Sequence, residues 1–276
     1  MKKLILKNVI GEAYDLINSS VKTFQLTGLG FSDESTYARA GRNYVLTERI
    51  MEQRELGLTV LFYQSADVGY KEFVIFCRKS PLTLFYQNDS GEYRVTCDVK
   101  TITKTDRKGY SIYGCSLSLL CLTDWYRIVS AYNSGEVVGG KTYNYTYNYQ
   151  YSDGVAESVR IESETTEDSP CKIMIYGPCE NPSWRHYVNG ELVATGSMDG
   201  DVPSNRILVI DSTTIPFSIT EQDLLGNLTA DRYQACDFGT ERFFFLQNGS
   251  NTISVSHSGS DICQLKVEAN ISYASI

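Results

Sequence analysis

Thr142-Tyr-Asn-Tyr-Thr-Tyr-Asn-Tyr-Gln-Tyr151 alternates without a break. In an extended chain Tyr143, Tyr145, Tyr147, Tyr149 and Tyr151 share one face, and Thr142, Asn144, Thr146, Asn148 and Gln150 share the other. A helix would scatter the five rings around its circumference, so the period of two predicts a strand. That reading also settles the residues just before it. Gly135-Glu-Val-Val-Gly-Gly140-Lys141-Thr142 satisfies the phosphate-loop pattern, and Ile207-Leu-Val-Ile-Asp211 resembles its acidic partner strand. A phosphate grip needs a helix after the Lys–Thr pair, so that backbone N–H groups and the helix dipole meet the anion. Here a strand follows, and no β-α-β unit surrounds it. The motif reads as a glycine-rich turn between domains.

Working outward, short strand-like runs recur between turn signals. Before the ladder they are Leu4 to Ile10, Val21 to Leu26, Leu56 to Tyr63, Tyr93 to Ile102 and Tyr110 to Leu122. After it they are Val159 to Ser163, Cys171 to Tyr176, Trp184 to Val188, Leu192 to Thr195, Arg206 to Asp211, Arg242 to Gln247, Thr252 to Ser256 and Cys263 to Tyr273. One helix is predicted, Tyr70 to Lys79, with Phe73, Val74, Phe76 and Cys77 on its apolar side and Ser80-Pro81 as its stop. The polar stretch Gly28 to Glu55 is too long for a plain loop and predicts an extended arm or hairpin reaching outward. Trp125 to Gly140 reads as a boundary, giving domains over 1–128 and 129–276. Many short strands joined by Gly, Asn and Ser turns make the second domain a sandwich or jelly roll. The fold class is mainly β.

The bulk numbers agree. A chain of 276 residues has room for about two cores, and 20 Tyr suit pleated, half-buried surfaces. Residues 1–128 carry 17 Lys+Arg against 14 Asp+Glu, whereas the remainder carries 8 against 19, so a net of +3 faces a net of −11. No basic stripe exists for phosphates, which argues against nucleic acid as a partner. The apolar run after Lys2-Lys3 stops at Lys7, short of a secretory leader, and no run approaches a membrane span. The expectation is a protein made and kept in a cytoplasm, neither secreted nor membrane-bound, whose eight Cys are reduced, buried thiols.

Chemistry finds little purchase. The two histidines, His186 and His257, come without a nucleophile-elbow or family signature. Cys115-x5-Cys121 and Cys171-x7-Cys179 lack the tight pairing of structural zinc sites, so no metal site is expected. Asp199-Gly200-Asp201 and Glu162 to Asp168 lack the regular oxygen spacing of a calcium loop. No cofactor or catalytic residue is assigned, and the chain is not expected to be an enzyme. Tyr143, Tyr145, Tyr147, Trp184 and Tyr187 are the candidate partner or glycan contacts, since aromatic faces of sandwich domains can stack on sugars.

Several segments, in this order, resemble the distal tail proteins of long-tailed phages. They are Arg54-Glu-Leu-Gly-Leu-Thr-Val-Leu61, Tyr70 to Lys79, Pro81-Leu-Thr-Leu-Phe-Tyr86 and Leu120-Cys-Leu-Thr-Asp-Trp125 in the first part. In the second they are the Tyr ladder, Ile175-Tyr-Gly-Pro, Glu180-Asn-Pro-Ser-Trp184, Ile207-Leu-Val-Ile-Asp-Ser212 and Phe245-Leu-Gln-Asn-Gly-Ser-Asn-Thr-Ile253. The resemblance implies an N-terminal domain of β-barrel-like or split-barrel form with one helix and an extended arm. A galectin-like β-sandwich, or jelly roll, follows it. It implies a structural hub at the virion tail tip, a homo-hexameric ring that joins the tail tube protein to a tail-associated protein and to receptor-binding or adhesion proteins. Arg39, Arg42, Tyr44 and Glu48 are then candidate intersubunit arm residues. Galectin activity is not implied, because Asn181-Pro-Ser-Trp-Arg185 reproduces the galactose-binding constellation poorly. The alternative is a carbohydrate-binding adhesin that uses the second domain on the host surface.

Overall fold

The computed structural model describes residues 3–63, 65–105, 112–133, 157–165, 167–239, 243–259, 261 and 263–276. The Tyr ladder and the glycine-rich turn before it lie outside these residues. The chain divides into two compact units, Met1–Arg127 with Tyr273–Ile276, and Ile128–Ser272.

In the first unit one antiparallel sheet runs in the order Ala13–Asp15, Lys3–Lys7, Leu82–Asn88, Gly91–Lys104, Tyr113–Cys121, Glu55–Phe62, Val21–Thr27. Its strands form because apolar side chains recur at every second position. Leu56, Leu58, Val60 and Phe62 point inward from one strand, Leu82, Leu84 and Tyr86 from another, and Cys115, Leu117, Leu119 and Cys121 from a third. The long strand Gly91–Lys104 pairs with Leu82–Asn88 through its first half and with Tyr113–Cys121 through its second, with a register shift between Val99 and Thr101. A shift of that kind bends the strand and lets one sheet wrap a core.

The helix runs from Ala66 to Cys77, starting and ending earlier than the sequence predicts. Ala66, Phe73, Phe76 and Cys77 are its buried side, while Val74 is only half-buried. Phe73 holds it to the sheet, with its ring centroid 5.0 Å from Tyr14 and 5.6 Å from Phe62. Four thiols, Cys77, Cys97, Cys115 and Cys121, are interior groups, and burial pushes them up to about 12, 12, 11 and 11 respectively. They behave as small apolar side chains.

The division between the units falls between Arg127 and Ile128, inside the stretch Trp125 to Gly140 where a boundary is expected. Trp125–Asn133 is a strand, Trp125 is fully buried, and the division between units falls inside that strand. Turn residues at Asn133 and beyond had suggested a linker. The alternation Trp125, Arg127, Val129 supplies the competing signal, and pairing with Arg94 at Tyr126 supplies the partner.

The second unit is made of two antiparallel sheets. One orders Leu228–Asp231, Ser218–Asp223, Arg206–Asp211, Ser169–Tyr176 and Gln264–Tyr273. The other orders Glu157–Ser163, Gly249–Ser256, Ser183–Val188, Glu191–Met198 and Cys236–Phe238. Buried side chains include Leu208, Ile210, Ile173, Ile175, Leu265 and Val267 from the first sheet and Val159, Ile161, Trp184, Ile253 and Val255 from the second, and Met174, Ile207 and Val209 form a separate buried cluster on the first sheet's other face. This is the sandwich that the turn spacing predicts. The run predicted over Arg242 to Gln247 pairs only at Phe245–Leu246. The strands Ser218–Asp223, Leu228–Asp231 and Cys236–Phe238, unmarked by hydrophobic runs, are also present.

The last strand, Gln264–Tyr273, pairs with Ser169–Tyr176, and the four residues from Tyr273 belong to the first unit. There Tyr273 meets Tyr93 edge-on at 5.4 Å.

Phe73→Ala removes the ring that joins helix to sheet and should cost about 3–5 kcal/mol. Ile75→Ala, on the same helix but 62% exposed, should change stability by less than about 0.5 kcal/mol. Urea denaturation of the full chain checks the contrast.

Candidate functional site

The polar stretch between Gly28 and Glu55 folds as a separate two-stranded hairpin, Asp33–Ala40 paired with Asn43–Met51. Gly41, with φ +65°, begins its two-residue turn, a position that favours glycine when the turn must follow the strands' twist. A register shift between Thr36 and Tyr37 divides the ladder. Beyond it Tyr37 opposes Leu46 and Arg39 opposes Tyr44, so these four share one face. Tyr44 is 70% exposed and Tyr37 56%, and Val45, Leu46 and Ile50 are also exposed. A two-stranded hairpin is marginal in water by itself, and a run of uncovered apolar side chains marks an interaction surface.

The hairpin's root is built differently. Gly28, at φ +84°, lies where an added Cβ would come within 2.1 Å of the Glu55 carbonyl oxygen, so no other residue fits there without moving the backbone. Arg54 is buried beside it. Its Nε donates to the Gly30 carbonyl at 2.8 Å, and its Nη2 donates to the Ala274 carbonyl at 2.5 Å and lies 3.9 Å from Asp124 Oδ1. One guanidinium thus joins the hairpin's root to the chain's last residues.

Of the four arm residues expected from the sequence, Arg39, Arg42, Tyr44 and Glu48 all lie on this hairpin and all are exposed. Arg39 Nε donates back to the Gly41 carbonyl at 3.0 Å. Tyr37, Leu46 and Ile50 were missed, because their apolar side chains read as ordinary strand pattern until their exposure is known.

The aromatic candidates separate. Tyr143, Tyr145 and Tyr147 lie outside the described residues. Tyr187 is half-buried. Trp184 is fully buried, and its ring packs over Gly196, its directly opposed partner in the neighbouring strand. An added Cβ at Gly196 would lie 2.6 Å from the indole Nε1. Trp184 is therefore a core residue and offers no face to a sugar.

The remaining motifs resolve into structure. Asp211, which resembled a nucleotide-site acid, is buried. It accepts from Lys172 Nζ at 3.0 Å, from the Thr213 amide at 2.8 Å and from the Thr213 hydroxyl at 2.6 Å. His186 is packed, its Nε2 bonded to Asn251 Oδ1 at 3.0 Å and its ring stacked on Phe244. Asn181 Oδ1 accepts from the Gly200 amide at 2.9 Å within the Asp199-Gly200-Asp201 turn. Among the described residues no helix is long and apolar enough to cross a membrane.

All eight cysteines are free and seven are buried. Cys179, His257 and Cys263, well separated in sequence, come together with a sulfur or nitrogen of each within 4.8 Å of the others. Among the described residues this is the one group with metal-ligating geometry. Spacing rules could not find it, since none of its members belongs to a tight pair.

Residues 3–122 match the family model described as distal tail protein, N-terminal domain. No curated protein matches the chain. Among solved structures the chain is similar to one from the phage P2 baseplate in its activated conformation with Ca, at 15% identity and a TM-score of 0.66, covering 100% of both chains. It is similar also to the SPP1 Dit protein, described as a paradigm of hub adsorption apparatus in phages that infect Gram-positive bacteria. That match has 10% identity and a TM-score of 0.63, covering 96% of this chain and 98% of that one. At these identities the likeness is one of fold. Residues 3–122 therefore carry a distal tail protein N-terminal domain, and the chain as a whole is similar in fold to the phage baseplate and hub proteins.

Trp184→Ala should lower the stability of the full chain by about 3–5 kcal/mol. Gly196→Ala should lower it by about 1–3 kcal/mol through overpacking against the indole. Chemical denaturation measures both.

Proposed function

We propose that the chain forms a homo-hexameric ring at the virion tail tip, assembled in the host cytoplasm and not secreted. The ring joins the tail tube protein above to a tail-associated protein and to receptor-binding or adhesion proteins below. The first unit makes the ring, and the hairpin over 33–51 clasps the next subunit through Tyr37, Tyr44, Leu46 and Ile50, with Arg39, Arg42 and Glu48 around them. The second unit faces outward as a docking platform and catalyses nothing.

The observation that carries this reading is the hairpin. Its apolar face is uncovered by its own chain, on a structure too slight to stand alone, and its root is locked by Arg54. An arm that completes itself on a neighbour fits that design. A head-to-tail contact of this kind repeats until rotation closes it, and a closed ring leaves no arm unpaired. The charge division agrees, with a nearly neutral part for self-association and an acidic part that repels its copies. Of the aromatic residues on which the adhesin reading rests, Trp184 is buried.

Sedimentation of the purified full chain should give roughly 186 kDa, six copies of 31.0 kDa. Replacing residues 33–51 with a short Gly-Ser linker, or introducing Tyr44→Glu with Leu46→Glu, should leave monomers that melt at nearly the parent temperature. A parent chain that stays monomeric and binds glycans on an array would favour the adhesin. A hexamer that survives loss of the hairpin removes the clasp.

A further inference from the structure

The second unit carries four titratable side chains that the tail-tip role does not use. Cys179 lies in the short strand Cys179–Glu180, His257 directly follows Gly249–Ser256, and Cys263 directly precedes Gln264–Tyr273. Glu157 opens the strand Glu157–Ser163 and pairs with Val255. Because His257 is two residues beyond Val255, it points to the same side as Glu157.

All four are buried, with Cys263 and Glu157 at 0% and 1% exposure. Burial is not matched by bonding. Both carboxylate oxygens of Glu157 and both ring nitrogens of His257 are shielded from solvent without a hydrogen-bond partner. A buried carboxylate left in this state is among the most costly arrangements a core can hold. Its burial raises the Glu157 pKa, opposed by the charge of His257, and the Glu157 charge acts in turn on Cys263. The two thiols are hydrogen-bonded to each other. That bond, then burial, pushes Cys179 up, while Cys263 as the acceptor is lowered.

A divalent cation answers every one of these deficits. Zinc takes two thiolates, an imidazole and an oxygen at tetrahedral corners, with ligand atoms ~3.5–3.8 Å apart given bonds of ~2.3 Å to sulfur and ~2.0 Å to nitrogen. The three gathered atoms, all within 4.8 Å of one another, need only a small contraction to meet that spacing. Two sulfurs and an imidazole favour zinc over calcium or magnesium, which take oxygen. We propose that Cys179, His257 and Cys263 bind one zinc ion, with the buried Glu157 carboxylate, which lies outside that group of three, as the supporting acid beside it. The ion would tie the turn after Tyr176 to the start of the last strand and to one end of the facing sheet's outer pair.

The inference stands apart from the hexamer. Full-length protein, incubated with zinc and desalted, should retain one zinc per chain by elemental analysis. Cobalt in its place should give the intense red-region bands of a tetrahedral ion, together with a thiolate charge-transfer band in the near ultraviolet. Cys263→Ser and His257→Ala should retain less than a tenth of the metal. Glu157→Gln should keep the charge-transfer band but bind 10–100-fold more weakly, in the range seen for loss of a supporting carboxylate. Parent protein that holds no zinc and gives no charge-transfer band overturns the proposal without recourse to any variant. A Cys179–Cys263 disulfide found by mass spectrometry of protein purified without reductant, and persisting after reduction and zinc loading, overturns it as well.

Discussion

A pleated chain must pair its backbone on both edges and hide one face from water, and both units rest on meeting that constraint. Leu56, Leu58, Val60 and Phe62, inward from a single strand, show how it is met: each buried position is followed by one that is not. A slip of one residue would turn all four outward, so the hydrophobic pattern sets the register as well as the face. Helix Ala66–Cys77 is an accessory to this arrangement. It covers the sheet through Phe73 and Phe76 and carries no site of its own.

The hairpin over 33–51 is where the constraint goes unmet within one chain. Its backbone is paired internally, yet neither face is covered. Such a segment is stable only if it is held at its root and completed elsewhere. The root is well held: Gly28 permits close approach to Glu55, and Arg54 links Gly30 to Ala274. Completion by another copy is what the proposed ring would supply.

The chain's local chemistry was legible where it was periodic. Strands such as Glu55–Phe62 fall where alternation places them, and the arm's hairpin form follows from its length and polarity. Elsewhere local signals conflicted. Asn133 and the glycines beyond it suggested a linker starting at Trp125, but pairing with the strand at Arg94 made Trp125–Asn133 a strand. Trp184 reads as a candidate sugar contact because aromatic faces of sandwich domains can stack on sugars. Its burial depends on Gly196 lying opposite, a fact of strand pairing that no window of sequence contains.

Periodicity is a property of each strand alone, so the sequence by itself determined the β class, the inward positions and the outward arm. It could do so because side chains two apart share a face whatever the neighbouring strand is. Which strands become neighbours is another matter, decided only when sheet edges meet and cores close. Tertiary structure alone therefore placed Trp184 over Gly196, returned Tyr273 to the first unit, and gathered Cys179, His257 and Cys263 into one buried cluster. Residues so distant in sequence acquire a common chemistry only through the packing that removes water from between them.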